Sequence, residues 1–214
     1  MEQDAMSIFD AIAVADDLEQ AVLDTLEKWF YTYLVEYELQ AGLIPNNQTV
    51  PVHPMPRAYL KVNQLDKEAA DQLPSIVCVS PGLSNRHAPM QEGDGSFRAF
   101  FNVGVGVFCT AKDRKDTMKI CRIYTAICRT IMLQQQSLGG FADGSWWLDE
   151  SYDPHFSFTD DQTISAGQVV FEIEVAGVVN RFGGPKTTDP LPDQPGSEWP
   201  LAEEVIATVE IMED

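Results

Sequence analysis

The sequence predicts an α+β fold: a mixed, largely antiparallel β-sheet with two long helices packed on one face, plus an extended C-terminal arm. Three observations carry this. Two stretches, 16–40 and 113–136, repeat apolar residues at spacings of three and four, the period of a helix. Five runs, 57–62, 75–80, 97–110, 146–153 and 168–180, are alternating or nearly continuous in apolar and β-branched residues, as strands are. The order is helix, strands, helix, strands, with no internal repeat, which suits one sheet covered by both helices. A chain of 214 residues with 44% hydrophobic residues has enough apolar material for one core without staples.

In the first helix Leu18, Val22, Leu26, Trp29, Tyr33 and Tyr37 make the apolar row, and Asp17, Asp24, Glu27 and Glu38 fall opposite. Asp16 or Asp17 suits the start and Gly42 the stop. Pro45, Pro51, Pro54 and Pro56 punctuate the following loop. Arg57 to Val62 is a short strand. Ser75 to Ser80, almost wholly apolar, reads as a central strand ended by Pro81-Gly82. A loop follows, with its tip at Gly93 to Ser96. In the strand Phe97 to Thr110, Phe97, Phe101, Val103, Val105, Val107 and Cys109 share one face. Gly104 and Gly106 share the other, a pairing that predicts close approach by another element.

The second helix turns Ile120, Ile123, Tyr124, Ile127, Cys128 and Ile131 inward. It turns Lys115, Lys119, Arg122 and Arg129 outward. Asp113 and Asp116 suit the positive end of its dipole, and Ser137 to Gly140 its stop. Trp146 to Asp153 is a strand stopped by Pro154. In the strand Gln168 to Asn180, Val169, Phe171, Ile173 and Val175 oppose Val170, Glu172, Glu174 and Ala176. Residues 1–185 thus read as a single α+β domain. Residues 186–214 read as a Pro-rich arm whose end, VIATVEI at 205–211, alternates like a last strand. That strand can pair with its own sheet or with a neighbour's.

The formal net charge is −19, which opposes attraction to nucleic acid phosphates. No run of about 18 apolar residues exists to span a membrane. No basic segment leads into an apolar stretch, so no secretory signal is expected. The charge is laid out in blocks. Residues 1–40 hold ten acids and only Lys28, whereas 97–137 hold seven bases and two acids. Residues 141–174 hold eight acids and no lysine or arginine. Opposed blocks in one chain suit surfaces that meet each other or that meet in copies of that chain. Cys78, Cys109, Cys121 and Cys128 all lie in apolar contexts without metal-site spacing, so four buried, reduced thiols and a cytoplasmic folding compartment are expected.

No GxSxG, HExxH, P-loop or GxGxxG motif occurs. Asp149, Asp153 and His155 share a strand face and, with Asp160 and Asp161, would be the ligands of choice for a hard cation. Pro154 breaks their alternation. Glu172 and Glu174 also share a face and could be read as an acid/base couple, but partner residues are missing. They read better as an acidic row facing solvent or a lumen. No cofactor is expected, and no catalytic or metal-binding set is assigned.

The arrangement of IVCVSPGL (76–83), FRAFFNVGVGVFCTA (97–111), IYTAICRTIMLQQQSLGG (123–140), WWLDESYD (146–153) and QVVFEIEVAGVVNRFGGP (168–185) resembles the tail terminator, or tail-completion, family of long-tailed bacteriophages. The resemblance spans roughly residues 16–185. It implies a ring, usually a hexamer, that caps the head-proximal end of the tail tube. Such a ring ends tube polymerisation and joins the neck proteins below the portal. It would sit in the virion after assembly in the host cytoplasm, touching the tube protein, the neck or connector protein and copies of itself, with no membrane partner. DNA would pass through its lumen without specific binding.

Carboxylates lining that lumen would repel phosphates, and Glu172, Glu174, Asp149, Glu150 and Asp153 are the candidates. For the subunit interface the candidates are Lys115, Lys119, Arg122 and Arg129 against Asp17, Asp24 and Glu27. A head–tail connector ring is the neighbouring alternative. From other classes come a metal-dependent hydrolase using the carboxylates of 149–161, and a small acidic interaction module that mimics nucleic acid.

Overall fold

β4 (Phe97–Thr110) is the central strand, because its alternation lets one face enter a core while its backbone pairs on both sides. The computed structural model describes residues 15–45, 49–64, 72–92, 97–111, 113–153 and 164–179. Around β4 stand β1 (Ala58–Lys61), β2 (Ser75–Leu83), β3 (Met90–Gln91), β5 (Gly144–Asp153) and β6 (Ile164–Val179). The order across the sheet is β1-β2-β4-β6-β5, with the short β3 also paired to β4. β1 and β2 are parallel, and every other pairing is antiparallel. The helices are α1 (Ala15–Gln40) and α2 (Arg114–Gln134).

Both helices lie on one sheet face. α1 covers β1 and β2, α2 covers β4, β6 and β5, and the helices touch each other. The odd-numbered residues of β4 and β6, including Val103, Val105, Phe171 and Ile173, fill that core with Leu26, Phe30, Ile127 and Ile131. Among the described residues no helix covers the opposite face. The α+β class, the mixed and mostly antiparallel sheet, and two helices on one face therefore stand as expected. The arm at 186–214 lies outside the described residues.

Local chemistry explains the helix ends. The Asp113 carboxylate accepts from the Asp116 N–H at 2.9 Å, capping α2. Gly42 sits at φ +66°, a left-handed turn that ends α1 without a Cβ penalty. After α2 the chain turns through Gly139 and Gly140, both with positive φ.

Several expectations need correction. β2 does not end at Pro81-Gly82. It runs to Leu83 across a register irregularity between Val79 and Gly82, where a bulge takes up the proline. β6 starts four residues before Gln168, at Ile164. The buried row of α1 passes through Phe30 and Leu34, leaving Tyr37 exposed. Glu38, placed on the outer side by periodicity, is fully buried. The Gly104–Gly106 face is not met by any described element. A Cβ on Gly104 would meet the Gln168 side chain at 3.0 Å, and one on Gly106 the Phe108 ring at 3.3 Å. The close helix–sheet approach is at Gly167, where a Cβ would collide with Thr125 of α2.

Candidate functional site

The helix-free face of the sheet carries most of the chain's chemistry. At one end, the loop after β2 folds back over β4. Ser84 N–H donates to the Phe100 carbonyl at 2.7 Å, and the His87 ring lies 4.7 Å from that of Phe100. Beneath it lies Glu172, only 3% exposed. Its carboxylate accepts a short hydrogen bond from the Ser84 hydroxyl and pairs with His87 Nδ1 at 3.0 Å. Beside it, Glu174 pairs with Arg98, whose Nε also reaches Glu92 at 2.7 Å.

Glu172 and Glu174 are therefore not an open acidic row. Alternation placed them on the correct face, but it carries no information on the loop and the arginine that cover them. Burial pushes the Glu172 carboxyl up. Hydrogen bonds from Ser84 and His87, and the charge of His87 and Arg86, outweigh burial and hold it below the ordinary carboxylate range. Serine, histidine and glutamate meet here, but in the wrong order for a nucleophile. The serine proton goes to the carboxylate, and a carboxyl held this acidic is a poor base.

A lowered native pKa means stability that is present above the unfolded value near 4.3 and lost as pH falls through the folded value. We expect Glu172→Gln to be less stable than the wild type at pH 7. That gap should close as unfolding is followed down to pH 3. A gap that persists unchanged at pH 3 would show that ionisation is not what matters there.

The other acidic candidates are split by alternation, and a β-bulge decides which face each takes. Pairing runs Trp147↔Phe171 and then Asp149↔Val170, so Leu148 is the extra residue and the side chains change face. Asp149 and Asp153 consequently pair with β6 residues of the helix-free face. Glu150 pairs with Val169 and turns to the helix side, where it accepts from Arg129 at 2.6 Å and from the Tyr152 hydroxyl. Arg129 also stacks 4.8 Å from the Trp147 ring, and Arg122 lies 5.6 Å from the Tyr152 ring. Glu150 and Arg129, expected on two different surfaces, thus pair with each other and tie α2 to β5. Lys115, Lys119 and Arg122 remain exposed, and Asp17, Asp24 and Glu27 are exposed on α1.

Asp149 and Asp153 are the described members of the proposed cation set. His155, Asp160 and Asp161 lie outside the described residues. Among the described residues, no group of three or more His, Cys, Asp or Glu side chains could hold a metal ion. No helix among them is long and apolar enough to cross a membrane. All four cysteines are free and buried, and burial raises the thiols of Cys78 and Cys128. Such thiols are poor nucleophiles.

Sequence reasoning missed two polar anchors. Glu19 on α1 accepts from the Ser80 N–H at 2.6 Å, and Glu38 accepts from the loop at Val52 and His53. Neither has a local signal, since each partner lies far along the chain. No protein-family model matches this sequence, and a search of curated proteins finds no match to it.

Proposed function

We propose that this protein is a structural ring subunit of a long phage tail, the terminator that closes the head-proximal end of the tube and joins it to the neck. The observation that carries the reading is the acidic sequence of the two strands at one end of the sheet, which bring no base of their own. β5 and β6 carry Asp149, Glu150, Asp153, Glu172 and Glu174 without a lysine or arginine, on a chain of net charge −19. In the ring this edge faces or rims the channel. Asp149 and Asp153 supply the repulsion that lets DNA slide. Glu172 and Glu174 are held by their partners and contribute less. The role involves no catalytic step and no cofactor. The α+β fold supports the reading, because the family that the sequence resembles is expected to fold as a small α+β domain.

Subunits meet through the exposed cations Lys115, Lys119 and Arg122 of one copy and the exposed acids Asp17, Asp24 and Glu27 of the next. Arg129 is withdrawn from that set by Glu150. The test is electron microscopy of the purified protein together with its mass in solution. A ring with a central hole is expected, and a monomer at micromolar concentration would sink the proposal. Exposed ion pairs are screened by salt, so rings should dissociate as ionic strength rises from about 0.05 to 1 M. Equal oligomer mass across that range would remove the charged interface. Deleting residues 186–214 should lower the oligomer fraction while leaving monomer unfolding within about 1 kcal/mol. An unchanged oligomer would remove the arm from assembly.

A further inference from the structure

The four thiols differ in their surroundings. Cys121, Tyr124, Thr125 and Cys128 form one face of α2, at spacings of three and four, and that face is buried against the sheet. Gly167 lets it lie close, since a Cβ there would meet Thr125 and Cys121. Cys121 Sγ comes 3.7 Å from the Val107 carbonyl oxygen of β4. Cys109 stands two residues further on the same face of β4, and its thiol is a hydrogen-bonding neighbour of Cys121. Both thiols are free and buried.

Cys121 also lines a surface notch of about 10 Å³, room for one water-sized molecule. Met118, Arg122, Tyr152 and Asp153 enclose it, and Arg122 and Tyr152 are exposed to solvent. Ser165 lines it as well. This serine pairs across the sheet with Cys109 and is 2% exposed, and its hydroxyl has no hydrogen-bond partner among the described residues. A buried hydroxyl without a partner is unfavourable unless a guest satisfies it. A sulfur and an unpartnered hydroxyl thus share one small cavity.

We propose that Cys121 and Cys109 are a peroxide-reactive pair that closes to a disulfide between α2 and β4. The oxidant is hydrogen peroxide. One of its oxygens fits the notch against Cys121 Sγ and Ser165 Oγ, a bulky disulfide reagent does not, and Asp153 disfavours an anionic oxidant. The Cys121 sulfur attacks that oxygen. An S–O bond forms, the O–O bond breaks, and the departing hydroxide leaves as water with the Cys121 proton. Cys109 then attacks Cys121 Sγ. The S–S bond forms, the S–O bond breaks, and the second hydroxide leaves as water with the Cys109 proton. The two thiols give up two electrons in all, and one peroxide becomes two waters. Environment sets the order of attack. The bond from Cys109 and the Arg122 charge outweigh burial and hold the Cys121 thiol below its ordinary range, whereas that contact and burial push Cys109 up. A dithiol reductant reopens the bond.

The test exposes the folded full chain to hydrogen peroxide at about 1 M salt, where neighbouring copies held through Arg122 are released. Trypsin then separates the thiols, because cleavage after Lys119, Arg122 and Arg129 parts Cys121 from Cys128. The expected product has one bond, Cys109 to Cys121 within one chain, and keeps Cys78 and Cys128 as thiols. In Cys109→Ser the reaction should stop at a sulfenic acid on Cys121, trapped with dimedone. Ser165→Ala should slow oxidation about threefold or more without lowering the Tm, as loss of one hydrogen bond to the peroxide would. Equal oxidation of all four cysteines would mean entry through unfolding alone and would overturn the proposal. So would a bond between chains, or four intact thiols. An unchanged rate in Ser165→Ala would overturn the part given to that hydroxyl. Mapping the wild type requires no variant to fold. The bond forms within one chain whether or not rings assemble, so this proposal and the terminator reading stand or fall separately.

Discussion

Glu38→Ala should lower the unfolding free energy by about 3–5 kcal/mol, as expected for breaking a buried, hydrogen-bonded charge. Glu38 is fully buried near the end of α1. One carboxylate oxygen accepts from His53 N–H at 2.9 Å and pairs with His53 Nδ1 at 2.6 Å, while the other accepts from Val52 N–H at 2.6 Å. The same loop is held by the Tyr124 hydroxyl, which donates to the Pro54 carbonyl. Removing the carboxylate would leave two backbone N–H groups without their acceptor.

For a chain of this size the corresponding fall in Tm is on the order of 10 °C, measured at one fixed protein concentration because assembly shifts apparent stability. Burial raises the Glu38 carboxyl, but the bonds from His53 and Val52 and the His53 charge outweigh it, so its pKa is lowered. Its contribution is therefore present at neutral pH and lost as pH falls below the ordinary carboxylate range. Glu38→Gln keeps the shape but presents an amide N–H to a donor, and should lose most of the same stability. A change under about 0.5 kcal/mol for Glu38→Ala would match an ordinary surface site and contradict the role.

Gly167→Ala should destabilise by about 2–4 kcal/mol, at or above the usual range for overpacking a well-filled core. Gly167 lies on β6 under α2. An added Cβ would lie inside van der Waals contact of Thr125 Oγ1, at 3.2 Å from Cys121 Sγ and at 3.3 Å from the Tyr152 ring. Thr125 cannot simply rotate away, because its hydroxyl donates to the Cys121 carbonyl at 2.9 Å and its Cβ is branched. The helix must lift, which loosens its packing on β6. Thr125→Ala removes the colliding atom. The double variant should recover at least about 1 kcal/mol relative to the sum of the singles. Additive losses in chemical denaturation would place the strain elsewhere.

Both positions show how far local pattern reaches. From Ala99 in β4 and up to Val175 in β6, alternation sorts core from outer face correctly because a strand's period is two and the pairing there is in register; Phe97, expected on the core face, lies beyond a register shift and is exposed. Period and capping chemistry locate α2 to within two residues at either end, since Asp113 and the glycines after Ser137 act on their own neighbours. The buried thiols were equally legible, each lying in an apolar run.

By itself, then, the sequence determined the α+β class, the two helices, the core faces of the long strands and the acidic and basic blocks. Only the tertiary structure decided what those blocks touch. Glu38 and Glu19 are buried because a loop and the end of a strand, distant in sequence, bring N–H donors to them. Asp149 and Glu150 face opposite sides by alternation, but the bulge at Leu148 decides which side each takes, and a one-residue slip of this kind leaves no trace in composition. It delivers Glu150 to Arg129 and so takes one member from each expected surface. Gly167 carries the close approach because α2 crosses β6 there. The reason is common to all of these: periodicity reports which side of an element is apolar, whereas pairing, burial of charge and close approach depend on which distant element arrives.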